Sequence, residues 1–91
     1  GRDAGAGVGG GEYNKASGEN AYVSGGDHNE ASGFHASVSG GTVNTASGDW
    51  SSVCGGYHNT ASGISASVGG GSTHAATGEN DWRAGGLWQD E

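Results

Sequence analysis

The sequence predicts an all-β chain: a parallel β-solenoid wound from 15-residue repeats, with two short strands in each coil. Three observations carry this reading. Residue types recur at one fixed interval, so that Val8, Val23, Val38, Val53 and Val68 form one column, Ala16, Ala31, Ala46, Ala61 and Ala76 a second, and Gly10, Gly25, Gly40, Gly55 and Gly70 a third. Within a unit, apolar and polar residues alternate at period two, as in Ala36-Ser37-Val38-Ser39-Gly40, which is the side-chain periodicity of a strand. Seventeen of the 22 glycines keep phase with the repeat; this density of Gly and Ser leaves no helix of useful length, and the lack of proline and of a glycine at every third residue excludes collagen.

Along the chain, residues 1–7 read as a lead-in or partial coil, residues 8–82 as five repeats, and residues 83–91 as a C-terminal cap or junction where the pattern stops. In the central unit, the strand Ala36 to Gly40 is followed by a turn around Gly41-Thr42-Val43. A second alternation, Asn44 to Gly48, follows, and Gly48-Asp49-Trp50 turns the chain back. Taking Val38 as inward places Ala36 and Gly40 inward with it and sends Ser37 and Ser39 out. On the other strand Ala46 and Gly48 point in, and Thr45 and Ser47 point out. The core is then expected from the Val and Ala columns, in an interior only wide enough for Val, Ala and Gly. The column of Gly40 is expected to need positive φ or close contact with another backbone. Trp82, Leu87 and Trp88 are expected to pack as a cap or junction on the last coil.

The polar columns read as structural. Asn14, Asn29, Asn44 and Asn59 follow the first turn, where an amide can bond the turn backbone and the equivalent amide of the next coil. Cys54 replaces the serine of Ser24 and Ser39, points away from Val53, and is expected to pack like a serine.

Chemistry is not expected to reside here. No acid, base and nucleophile recur together, so no catalytic residue is assigned and the chain is not expected to be an enzyme. His28 and His58 lie two coils apart, about 10 Å on a strand spacing of about 4.8 Å, too far to share a metal, so neither metal nor cofactor is expected. Ten acidic against three basic residues give a net charge of −7, which opposes binding to nucleic acid and to anionic membranes. No apolar run reaches the roughly 18 residues of a membrane span, so this segment is not expected to insert.

The variable positions at the turns are where specificity would reside, because loops on a rigid stack vary without disturbing the ladder. Tyr13, His28, Phe34, His35, Trp50, Tyr57 and His58 are the candidate contacts with a partner. Each coil offers little apolar surface, so additional buried surface is expected from other copies of the chain, as a homo-oligomer with small residues on the facing surfaces.

The units Asn29-Glu30-Ala31-Ser32-Gly33-Phe34-His35-Ala36-Ser37-Val38-Ser39-Gly40-Gly41 and Asn59-Thr60-Ala61-Ser62-Gly63-Ile64-Ser65-Ala66-Ser67-Val68-Gly69-Gly70 resemble the head repeats of trimeric autotransporter adhesins. The similarity covers about residues 6 to 81. The resemblance implies a left-handed parallel β-roll and three chains around a threefold axis. It also implies display at the bacterial surface and attachment to a host matrix or an environmental surface. Neck, stalk and membrane barrel, which the resemblance would place after the head, have no counterpart in these residues. A structural spacer or self-assembling filament shaft without a ligand is the alternative.

Overall fold

The computed structural model describes residues 7–73, 75–79, 82–84 and 87–88, the last two stretches as backbone only. It is an all-β, five-turn parallel solenoid. Strands recur in order as β1 (Gly7–Val8), β2 (Lys15–Ala16), β3 (Tyr22–Val23), β4 (Glu30–Ala31), β5 (Ser37–Val38) and β6 (Thr45–Ala46). They continue as β7 (Ser52–Val53), β8 (Thr60–Ala61), β9 (Ser67–Val68), β10 (Ala75–Ala76), β11 (Trp82–Ala84) and β12 (Leu87–Trp88). Odd-numbered strands up to β11, joined at the end by β12, build a seven-stranded sheet, and the even strands β2 to β10 a five-stranded one. The strands are shorter than the alternation predicts, because the glycines bend the chain as soon as one inward residue has been placed.

Register follows the repeat. Val23 pairs with Val38, Val38 with Val53 and Val53 with Val68, while Ala16 to Ala76 pair likewise across the other sheet. A one-coil advance therefore stacks each side chain on its own kind, which keeps the columns continuous. A third line of backbone contact, absent from the two-strand reading, runs through single parallel bridges from Glu12 to Asp27, Thr42, Tyr57 and Ser72. Strand β11 continues the parallel ladder on β9, and β12 returns antiparallel along it. The side chains of Trp82, Leu87 and Trp88, expected to form a cap, lie outside the described residues. The stack measures 37 × 22 × 12 Å, so it is a thin slab with two broad sheet faces and two narrow edges.

The interior is lined by Val23, Val38, Val53 and Val68, and by Ala16, Ala31, Ala46, Ala61 and Ala76, all at most 2% exposed. Val8, expected in the same core, is 38% exposed, because β1 is paired on one side only. Ala21, Ala36, Ser51 and Ala66 add a further buried column, and Ser51 satisfies its hydroxyl by donating to the Gly48 carbonyl at 2.6 Å.

Val remains the largest buried side chain among the described residues, as the narrow coil predicts, but the expectation of an interior of Val, Ala and Gly alone is corrected by Asn29, Asn44 and Asn59, which are 0–1% exposed. Asn44 Nδ2 donates to the carbonyls of Gly40 and Gly56, both at 3.0 Å, and its Oδ1 accepts the backbone N–H of Asn59 at 2.9 Å. Asn29 repeats this one coil earlier, and Asn14 does so at the more open first coil. Each amide clips its own turn and reaches the next coil through backbone groups, not through the neighbouring side-chain amide expected from the sequence. A buried polar group is tolerated here because its donors and acceptor are engaged.

The glycine assignment is also corrected. A Cβ added at Gly10, Gly25, Gly40 or Gly55 meets nothing within 4 Å, and in this column only Gly70 has positive φ, at 147°. Gly40 therefore does not point into the core. The steric demand falls one residue later and at the opposite edge. Gly41, at φ 89°, would place a Cβ against the Gly56 carbonyl oxygen, and Gly48 would place one 2.7 Å from both the Gly63 carbonyl carbon and the Ser62 oxygen. At both positions the missing side chain would project along the stack axis, where the next coil is about 4.8 Å away.

Two non-glycine residues per coil adopt positive φ. They are Tyr13, His28, Val43, His58 and Thr73 on one edge, and Asn20, His35, Trp50 and Ser65 on the other, with φ between 55° and 62°. Their amides point backwards: His28 N–H donates to Glu12 O, Val43 to Asp27 O, His35 to Glu19 O and Trp50 to Phe34 O, whereas Lys15 and Tyr22 donate forward to Asn29 O and Ala36 O. The left-handed conformation, costly for residues with a Cβ, recurs because it turns one amide per corner towards the preceding coil.

Candidate functional site

The corners of the solenoid, and not its interior, present distinctive side chains. On the first edge, tight turns closed by Ala21 N–H to Gly18 O, Ala36 N–H to Gly33 O, Ser51 N–H to Gly48 O and Ala66 N–H to Gly63 O, all at 3.1 Å, thrust two central residues outward in each coil. Those pairs are Glu19-Asn20, Phe34-His35, Asp49-Trp50 and Ile64-Ser65.

Three of the expected contact residues meet on this edge. His35 stacks on Trp50 with ring centroids 4.2 Å apart and planes 3° from parallel, and Phe34 sets its edge against both, at 4.2 Å from His35 and 5.8 Å from Trp50. Trp50 is nevertheless 57% exposed. His35 covers one indole face. The opposite face looks towards the next coil, where the same column holds Ser65, too short to cover a ring. Asn20 approaches His35 with its Nδ2 at 3.3 Å from Nε2.

Asp49 was not among the residues singled out by sequence. Its Oδ1 accepts the backbone N–H of Phe34 at 3.1 Å, which anchors the carboxylate towards the preceding coil. Ile64, also overlooked, is exposed on the following coil. The signal for both was their column, which alternates acidic with large apolar residues as Glu19, Phe34, Asp49, Ile64 and Glu79.

The remaining candidates lie on the second edge and form separate pairs. Tyr13 stacks on His28 at 4.8 Å, with His28 Nδ1 at 2.9 Å from Asp27 Oδ2. Tyr57 and His58 are 5.8 Å apart. Val43 occupies the position between His28 and His58, so no continuous aromatic surface forms there. Among the described residues no three His, Cys, Asp or Glu side chains gather as a metal site, and no helix is long and apolar enough to cross a membrane.

The broad faces are plain. The seven-stranded sheet shows Ser37, Ser52 and Ser67 in one rank and Ser39, Cys54 and Gly69 in the next, with Tyr22 at one end. Cys54 is exposed and carries a free thiol, in line with its outward position. Compared with known protein families, with curated proteins and with solved structures, the chain matches none.

Proposed function

We propose that this chain is a non-enzymatic segment of an adhesin head or fibre displayed outside a bacterial cell, and that it attaches to a host or environmental surface through the edges of a rigid stack. The observation that carries the reading is the Phe34–His35–Trp50 cluster: large rings held in fixed geometry by the ladder, yet with Trp50 more than half exposed. Rings that cost little further ordering on contact are effective anchors for a partner. The resemblance of the repeats to autotransporter heads supports the same reading. Beads carrying the folded chain are expected to be retained on a matrix-protein-coated surface. Changing Phe34, Trp50 and Tyr57 together to Asn is expected to reduce retention severalfold; undiminished retention of that variant would sink the role of the edges.

The proposal includes a homotrimer. The outward face of the seven-stranded sheet carries residues no larger than serine or cysteine over three coils, Ser37, Ser39, Ser52, Cys54, Ser67 and Gly69, so that the backbones of copies can approach closely. Each coil is thin, and covering this face adds burial to every coil at once. Sedimentation equilibrium is expected to return about three times the chain mass of 8.8 kDa. A folded species at the single-chain mass would overturn the trimer.

A second reading, a spacer or shaft whose only contacts are with its own copies, draws on the same plain faces. It predicts the trimer without the retention on coated surfaces.

A further inference from the structure

We infer that the edge built by Asp49, Trp50 and Phe34 is a docking site for a cationic side chain, foremost arginine, presented by a basic protein surface. The inference rests on the reading of this edge as a contact surface and names the chemistry of its partner.

Three features converge. The indole of Trp50 is backed on one face by His35 at 4.2 Å and, on the other, looks across Ser65, which leaves room for a flat group to lie on it. Trp is the ring that best attracts a cation over its face, and a guanidinium adds planar stacking that an ammonium lacks. The residue next to Trp50 in the chain is Asp49, whose Oδ1 is held towards the preceding coil by the Phe34 N–H at 3.1 Å. A carboxylate has acceptor capacity beyond one such bond, so the same group can also pair with a cation docking at this corner. The surroundings carry the same sign. Glu19 and Glu79 share the Asp49 column, neither Lys nor Arg stands in the Glu19 and Asn20 columns from Glu19 to Glu79, and the whole chain is at −7. This field draws in basic partners and repels anionic ones. Glycosaminoglycans, nucleic acid and acidic lipid surfaces are therefore disfavoured at this edge.

The second edge is the internal comparison. It also has carboxylates, Glu12 and Asp27, and rings, Tyr13 and His28, but there Asp27 already faces His28 Nδ1 at 2.9 Å and Tyr13 is stacked on His28. Acid and ring are engaged with the same imidazole, whereas on the first edge Asp49 Oδ1 accepts a backbone N–H and Trp50 turns one ring face towards the coil of Ser65.

The test titrates the folded chain with a short oligo-arginine peptide and follows the Trp50 indole N–H by NMR, with matched oligo-lysine and oligo-glutamine peptides as comparisons. Oligo-arginine is expected to shift that resonance and to bind more tightly than oligo-lysine; oligo-glutamine is expected to leave it in place. Trp50→Asn keeps a residue suited to positive φ, the same type that stands at Asn20, and is expected to weaken binding about tenfold. Asp49→Asn retains the Oδ1 acceptor for Phe34 and removes only the charge, with a similar loss expected. Asp27→Asn, on the other edge, is expected to stay within about twofold of the parent. Equal weakening by Asp27→Asn and Asp49→Asn, or an unmoved Trp50 resonance with oligo-arginine, would overturn the site. Retention on a coated surface that oligo-arginine does not compete away leaves attachment standing and rejects the cationic partner. Oligo-arginine binding without retention on any coated surface keeps the docking site and rejects the attachment role.

Discussion

Replacing Gly48 by alanine is expected to destabilise the chain by about 2–4 kcal/mol, while the same replacement at Gly40 is expected to stabilise it by about 0.4–1 kcal/mol. The Gly48 Cβ would meet backbone, with the Gly63 carbonyl carbon and the Ser62 oxygen both at 2.7 Å and the Gly63 oxygen nearer still. None of those atoms can rotate away. The coils would have to separate at that corner, where Ala61 O accepts from both Ser47 and Gly48. At Gly40 the Cβ meets nothing within 4 Å and φ is not positive, so the main effect is the smaller conformational freedom of the unfolded chain. Urea unfolding of the two variants separates them by midpoint. Coincident curves would show that coil spacing adjusts freely at the corner.

Asn44→Ala is expected to cost roughly 2–6 kcal/mol, a large part of the stability of a small domain. Two backbone groups lose a partner: the Gly40 carbonyl, now bonded by Nδ2 at 3.0 Å, and the Asn59 N–H, which donates to Oδ1 at 2.9 Å. The Gly56 carbonyl is less affected, because it also accepts from Thr42 N–H. The intact side chain is 0% exposed, so the freed groups are left in a buried corner where an unmet hydrogen bond is costly. Asn14→Ala, at a half-buried position of the first coil, is expected to cost clearly less, since solvent reaches the freed groups. Amide exchange at Asn59 gives a local readout and is expected to accelerate markedly in Asn44→Ala. Protection equal to that of the parent would mean that the ladder is held by the sheets alone.

How much of this was legible from sequence varies with the kind of residue. The inward placement of Val38 and Ala46 follows from alternation, and their stacking on Val53 and Ala61 follows from the period, because a strand sends every second side chain to one face whatever surrounds it. The Asn column was visible as a ladder, but its burial was not: alternation does not say how wide the coil is at the turn, or that backbone carbonyls wait there to receive Nδ2. Phe34, His35 and Trp50 were each legible as candidate contact residues at the turns. Their convergence with Asp49 required the corner to be built, since it depends on rings one coil apart lying face to face.

By itself, then, the sequence determined the coil length, the parallel like-on-like register and the Val and Ala columns, all consequences of a period and a parity that the chain carries locally. Only the tertiary structure decided that Gly41 and Gly48, and not Gly40, have no room for a side chain, and that Tyr13, His28, Val43 and Trp50 take positive φ. The physical reason is the same in each case. At a corner, the direction of a Cβ or an N–H relative to the stack axis is set by the turn, and its cost is set by the backbone of a neighbouring coil fifteen residues away in the chain.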